Sequence, residues 1–330
     1  MAQERSQSKV WIAGIAALAC VMALGVMVGA FPLSLSNVID ALKGVGDPST
    51  VAIVRDLRLP RVLLSGLVGV GLSMSGAALQ GTMRNPLAEP YLLGVSGGAA
   101  VGAVLAMALG VTSSLLVTTS AFVGAGLATI LVAALARVVG GGTDTRLLLM
   151  AGVVVGAFAN AAILVALAGA PPDRLRGALW WMMGSAAEAT WDGVGRSFVV
   201  ITLLGAWLVW RARELDVLAL GTEPAAALGV DVDRAARRIF LVASWLAAAT
   251  VAAAGLVGFI GLVVPNLARA LGARQHRSML LISALYGAVL LIAADIAART
   301  LRAPIELPLG AVTALIGVPF FLMRLRRLVG

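Results

Sequence analysis

Arg58 and Arg61 stand three residues apart across Leu59-Pro60, and Asp295 precedes Arg299 by four. Each spacing puts the pair on one helix face. Guanidinium and carboxylate groups placed this way do the chemistry of charge pairing, with one another or with an acidic partner outside the chain. Glu89 and Asp295 are the acids set within apolar sequence, and a proton relay would have to run through them. Arg299, one turn beyond Asp295, argues instead for an ion pair at that position. There is one histidine, His276, and one cysteine, Cys20, which excludes an internal disulfide and a Cys/His metal cluster. No G-x-x-x-x-G-K-[ST] run occurs, and the lysines are Lys9 and Lys43, so the chain has no phosphate cradle. Neither a Ser-His-Asp set, an H-E-x-x-H run nor a pair of catalytic carboxylates is present. Covalent catalysis and a resident cofactor or metal are therefore not expected.

A second set of residues interrupts apolar sequence. Within Arg58–Gly98 the breaks fall at Asn85-Pro86 and Glu89-Pro90, and a related pair, Pro265-Asn266, stands in a later apolar run. Such breaks free backbone groups that lipid cannot satisfy, so they belong beside a site or a path between helices. Gly152, Gly156 and Asn160, at i, i+4 and i+8, form a small-residue stripe suited to a path wall or to close helix packing.

The elements that must hold these residues are membrane helices. Hydrophobic residues make up 60% of the chain and charged residues 12%, against about 25% charged in a soluble protein. The mean hydropathy is +1.00. An all-α, polytopic membrane protein follows, in one transmembrane domain covering residues 1–330. Ala17-Leu18-Ala19-Cys20 has the look of a lipoprotein cleavage site, but the apolar run from Val10 to Phe31 suits a first span better than a signal core. A surface helix is expected around Val38, Ile39, Leu42 and Val45. Further spans are expected near 62–79, 91–110, 115–138, 147–168, 194–210, 240–254, 256–271, 279–297 and 309–323, about ten in all.

The net charge of +9 does not indicate nucleic acid, because the arginines sit in short loops between apolar runs and orient the chain in lipid. With both termini cytoplasmic, Arg84, Arg137, Arg146, Arg211, Arg213, Arg234, Arg237, Arg238, Arg269, Arg274 and Arg277 face inward. Arg55, Arg58, Arg61, Arg299 and Arg302 then lie outside, against the rule. Interfacial snorkelling with local acids and a docking surface for an acidic partner explain that placement equally well. Arg61–Gly94 and Arg237–Gly272 read alike, each passing from arginine through a small-residue helix to a Pro/Asn pair, and the orientation makes the repeat inverted. By that reading helices 2–5 repeat as helices 7–10.

The longest inward loop, Glu214 to Val232, holds Leu215, Leu218, Leu220 and Leu228 with Gly221 and Pro224 as punctuation. Two short amphipathic helices follow, seeking a partner groove or the membrane surface.

RLPR, NPLAEP-x-LLG-x-S-x-G, ALG-x-x-x-A-x-x-LGV, GLVGFIGLVVPNLAR, LL-x-AD-x-x-AR and ELPLGAVTALIGVPFF resemble, in order and over nearly the whole chain, the FecCD family of permeases. These belong to ABC importers of iron–siderophore complexes, haem and cobalamin. The resemblance implies a ten-helix subunit in a homodimer or close heterodimer, a separate ATPase that carries the ATP, and an extracytoplasmic binding protein. It implies docking of that protein on Arg58, Arg61 and Arg299, and an inner gate at Asn85 and Leu87 with Thr143 and Thr145. A coupling loop at about 214–233 is implied too, its motif formed by Leu220, Gly221, Glu223, Pro224, Ala227, Leu228 and Gly229. Pro265-Asn266 departs from the Pro-His of some members. An iron–siderophore complex is the first expectation for the substrate, then cobalamin, then haem. The rival class is an ion-coupled secondary transporter, which would need no ATPase.

Overall fold

The computed structural model describes residues 2–29, 31–139 and 145–329, with the side chains of residues 2–6, 145 and 320–329 left aside. The helix Leu59–Thr82 is the axis of the bundle. Its glycines, serines and alanines, set among larger buried residues such as Leu72 and Leu79, let neighbours close in around it. In chain order the helices are α1 (Ala2–Met27), α2 (Leu35–Lys43), α3 (Pro48–Ala52), α4 (Leu59–Thr82), α5 (Val95–Ala108), α6 (Ser114–Val138), α7 (Thr145–Ala168), α8 (Pro172–Met183), α9 (Trp191–Trp210), α10 (Ala212–Ala219), α11 (Thr222–Ala227), α12 (Val232–Ala254), α13 (Ile260–Ala270), α14 (His276–Thr300) and α15 (Leu309–Val329). A π-helical turn over Ile53–Arg58 leads into α4, and a 3-10 turn over Pro90–Leu93 precedes α5. No strand occurs among the described residues.

α4 packs against α9, α12, α13 and α14. Two crossings bring backbone onto backbone. A methyl group on Gly69 would sit 2.2 Å from the carbonyl oxygen of Gly287 on α14, and one on Gly76 would sit 2.0 Å from that of Gly261 on α13. Any larger residue at these points would have to push two helices apart.

The other contacts pair off across the chain. α4 lies on α14 as α12 lies on α6, and α4 touches α13 as α12 touches α5. α5 packs on α6 and α7 as α13 packs on α14 and α15, while α6 meets α7 as α14 meets α15. α4 and α12 pack on each other.

Seven helical segments among the described residues are long and apolar enough to cross a membrane: 7–27, 48–82, 114–138, 146–168, 191–210, 232–254 and 276–300. Three shorter apolar helices join them, Val95–Ala108, Ile260–Ala270 and Leu309–Pro319. At about 1.5 Å per residue, α5 and α13 cannot alone cross a hydrocarbon core of about 30 Å.

The Asn85-Pro86 and Pro265-Asn266 pairs turn out unlike each other. The chain leaves the helix after Thr82, and Asn85 turns it, its Oδ1 accepting the Leu87 N–H at 2.9 Å. Pro265, read as lying within the eighth expected span, sits inside an unbroken α13. The cost of a proline in a helix is the lost N–H to the carbonyl four residues back. That carbonyl belongs to Gly261, and Gln80 Nε2 donates to it at 3.1 Å. A neighbouring side chain replaces the missing bond, so the helix need not open.

Candidate functional site

The residues expected to meet partners gather at two places. They lie at opposite ends of α4.

At the first end, the π-helical turn places Arg58, and the first turn of α4 places Arg61, over α14 and the loop after it. Arg61 grips Asp295 with Nε and Nη2 at 3.0 and 2.9 Å and holds Glu306 with Nη1 and Nη2 at 2.7 and 3.0 Å. Arg299 approaches Asp295 at 3.7 Å. Asp295 is 1% exposed and Glu306 is 42% exposed.

Arg58 does not point outward, contrary to its expected direction. It is buried, and its Nη1 donates to the carbonyls of Val26 and Met27 at 2.8 and 2.9 Å, with Nη2 on Phe31 O. Arg299 is buried as well and donates to Gly25 O. The last carbonyls of α1 have no helical donors, and α1 has no basic residue in its own last turn. Two arginines from other elements therefore cap it, which suits the negative end of its dipole. The sequence held one trace of this, an apolar helix ending ahead of Arg55, Arg58 and Arg61. Arg55 lies in the same region, reaches Leu42 O, and accepts the Trp191 indole N–H on its own carbonyl at 3.0 Å.

At the other end, α10 and α11 form the expected pair of short helices. Gly221 joins them at φ 115° and Gly229 closes α11 at φ 79°, both conformations that L side chains rarely adopt. The four leucines of this segment divide. Leu215 and Leu218 are buried in the bundle, whereas Leu220 and Leu228 are 61% and 63% exposed. Glu223, Pro224 and Ala227 share that exposed tip. The pair is bolted to the bundle at its base: Asp216 Oδ1 accepts the backbone N–H of His276 at 2.8 Å and lies 2.8 Å from its Nδ1. Arg84, in the turn after α4, donates to Thr222 Oγ1 at 3.4 Å. The lone histidine thus ties the start of α14 to α10, a role its isolation in the sequence did not reveal.

Between these ends the two irregular segments that precede α5 and α13 meet. Glu89 Oε1 accepts the Phe259 N–H at 2.7 Å, and the Tyr91 hydroxyl accepts the Val257 N–H at 2.7 Å. Asn266 Nδ2 donates to Pro86 O at 3.2 Å. Glu89 is therefore engaged with the backbone at the start of α13, whose first N–H groups lack helical acceptors, and Asp295 is paired with arginine.

Of the expected gate, Leu87 is exposed and Asn85 half-buried in the turn after α4. Thr143 lies outside the described residues, and Thr145 begins α7. The glycine stripe on α7 is not one surface. Eight residues at about 100° each overshoot two turns by about 80°, and the stripe turns with them. Gly152 is buried, its missing methyl leaving room for Leu92 O at 2.4 Å; Gly156 has open space beside it; Asn160 is exposed beside Phe158. Gly152 is a packing position.

Comparison with known proteins agrees with this arrangement. The chain is 40% identical over 85% of its length to a cobalamin import permease of Halobacterium salinarum, covering 75% of that protein. It is 39% identical over 82% of its length to a hemin transport permease of Yersinia pestis, again covering 82% of the relative. A solved structure described as an inward-facing metal-chelate-type ABC transporter superposes with a TM-score of 0.87 at 29% identity, covering 97% of this chain and 99% of that one. Such relatives are transport subunits, with ATP hydrolysis on a separate chain. The sequence pattern of the FecCD transport family matches residues 16–327, and the chain belongs to that family of multi-pass ABC transporter permeases.

Proposed function

We propose that this chain is the membrane path of an ATP-driven importer for a metal chelate, working as a pair of subunits in the cytoplasmic membrane with both termini inside. The observation that carries the reading is the split of the α10–α11 leucines. Leu215 and Leu218 anchor the segment while Leu220 and Leu228 stand out in water, an apolar tip shaped for a partner's groove. Because α10 is tied to α14 through Asp216–His276 and α11 to the end of α4 through Arg84–Thr222, a push on the tip reaches the central helices. ATPase closure would then tilt α4 and α14 as rigid bodies and open or shut the turn at Asn85 and Leu87. No covalent step is required of this chain.

Seven long and three short apolar helices support ten spans, the short ones crossing together with the irregular segments before them. The matched contacts of α4–α7 and α12–α15 support the inverted repeat. Gly156 and Asn160, with the exposed Phe158, would face the path or the second subunit. On the outer face, Arg61 would receive an acidic residue of the substrate-binding protein, and Arg58 and Arg299 would hold α1 and add positive charge beside it.

A ferric siderophore is the first reading of the cargo, on the breadth of the family. Cobalamin is the second, favoured by the Halobacterium relative. The deciding experiment is to purify the cognate binding protein and identify the chelate that it carries by absorption spectrum and mass. A corrin spectrum would select cobalamin; a ligand without metal would contradict the whole reading.

A further inference from the structure

Arg61 is engaged on both edges of its guanidinium, and the two carboxylates that hold it are not equivalent. Asp295 sits on α14, 1% exposed, with Arg299 behind it. Glu306 sits on the segment between α14 and α15 and is 42% exposed. Nε and both Nη groups already donate, so no edge of the fork is open to a bidentate newcomer. An outside carboxylate must displace one of the two. Asp295 cannot leave without stranding a buried charge, whereas Glu306 can turn into water. Arg58 and Arg299 offer no alternative edge, since both are buried and donate to the carbonyls that end α1.

We propose that Glu306 is an internal stand-in for the carboxylate of the docking partner, and that the substrate-binding protein docks by exchange. Its acidic side chain takes the outer edge of Arg61 and releases Glu306. This rests on the docking reading above. The exchange also carries a signal. The Glu306 segment is stitched at its end by Leu307 N–H to Ala298 O at 2.8 Å and by Leu309 N–H to Gly184 O at 3.1 Å, and Leu309 opens α15. Releasing Glu306 slackens the support of the α15 start, so contact on the outer face is felt by a helix of the bundle. The stand-in also keeps Arg61 paired between encounters.

The test uses the permease–ATPase complex in lipid nanodiscs and its cognate binding protein, identified by co-purification. Arg61→Gln should weaken docking at least tenfold; unchanged docking would overturn the docking reading itself and the exchange with it. Glu306→Gln should tighten docking about fivefold, or about 1 kcal/mol, the size of a half-exposed ion pair. Weakened Arg61→Gln with unchanged or weakened Glu306→Gln would leave docking standing and overturn the exchange. Should Glu306→Gln fail to fold, a nitroxide at Ile305→Cys in a Cys20→Ser chain gives the answer with Glu306 in place. Its mobility should rise when the binding protein docks, and no change in mobility would refute the exchange.

Discussion

Asn266 donates from Nδ2 to the carbonyl of Pro86 at 3.2 Å, joining two break motifs that are 180 residues apart in the chain. Beside that contact Gln80 donates to Gly261 O at 3.1 Å and to Ala88 O at 3.3 Å, and Arg269 binds Gln80 Oε1. Buried Gln80 thus stitches the end of α4, the turn after it and the proline-bearing helix together. The halves of the bundle meet through polar side chains that replace backbone bonds.

Gln80→Leu should remove the donor that Pro265 makes necessary, at a cost of about 1–3 kcal/mol for an orphaned buried carbonyl. Adding Pro265→Ala restores a helical N–H to Gly261 O. The double variant should unfold at higher denaturant than Gln80→Leu alone, measured in detergent by tryptophan fluorescence. Equal stability of the two would show that the Gly261 carbonyl was never the point of stress.

Leu228→Asp and Leu215→Asp should fail in different ways. At exposed Leu228 the charge meets water until a partner covers it, so the subunit should fold normally and lose ATPase association by more than about tenfold, the effect of burying an unpaired charge. At fully buried Leu215 the same charge should cripple folding before any partner arrives. Co-purification and thermal unfolding of the two variants separate these outcomes. Normal assembly of Leu228→Asp would remove the coupling role from the tip.

Arg58→Ala should loosen α1. Only 17% of the α1 span is buried, and losing the Arg58 bonds leaves the Val26 and Phe31 carbonyls short of a donor, while Met27 O keeps the Leu33 N–H at 3.0 Å, about 1–3 kcal/mol in all. Limited proteolysis of the α1–α2 connection should accelerate, while Arg61→Gln leaves it unchanged. Equal protection in both variants would mean that Arg58 does not hold α1.

Reporter fusions at Gly46 and Gly221 should appear on opposite sides of the membrane, with Gly46 outside, as the arginine distribution requires. Fusions reporting the same side would overturn the orientation.

Much of the helix order was legible because apolar length and Pro/Asn/Gly punctuation are local signals. The α10–α11 pair was visible in the spacing of its leucines, but not which of them point inward, since that depends on the helices behind. The direction of Arg58 is not legible, because a sequence does not say which helix end an arginine will cap. Gln80 passed unnoticed because one amide in an apolar helix looks like a satisfied core residue, and its purpose appears only with Pro265 folded against it. What keeps α13 whole at Pro265 is hidden for the same reason: proline removes a bond locally, and a side chain far along the chain puts it back. The glycine stripe divides through geometry, as i, i+4, i+8 drifts off a single face.

On the function proposed here, this chain moves a metal chelate only as part of an ATP-driven assembly. Uptake into proteoliposomes tests it most directly, with ferric siderophore and cobalamin offered in turn outside together with the binding protein, and ATP enclosed with the ATPase. One chelate should accumulate, only with ATP, the ATPase and the binding protein together, and accumulation should stop with Leu228→Asp. Accumulation by the permease alone under a proton or sodium gradient would contradict it.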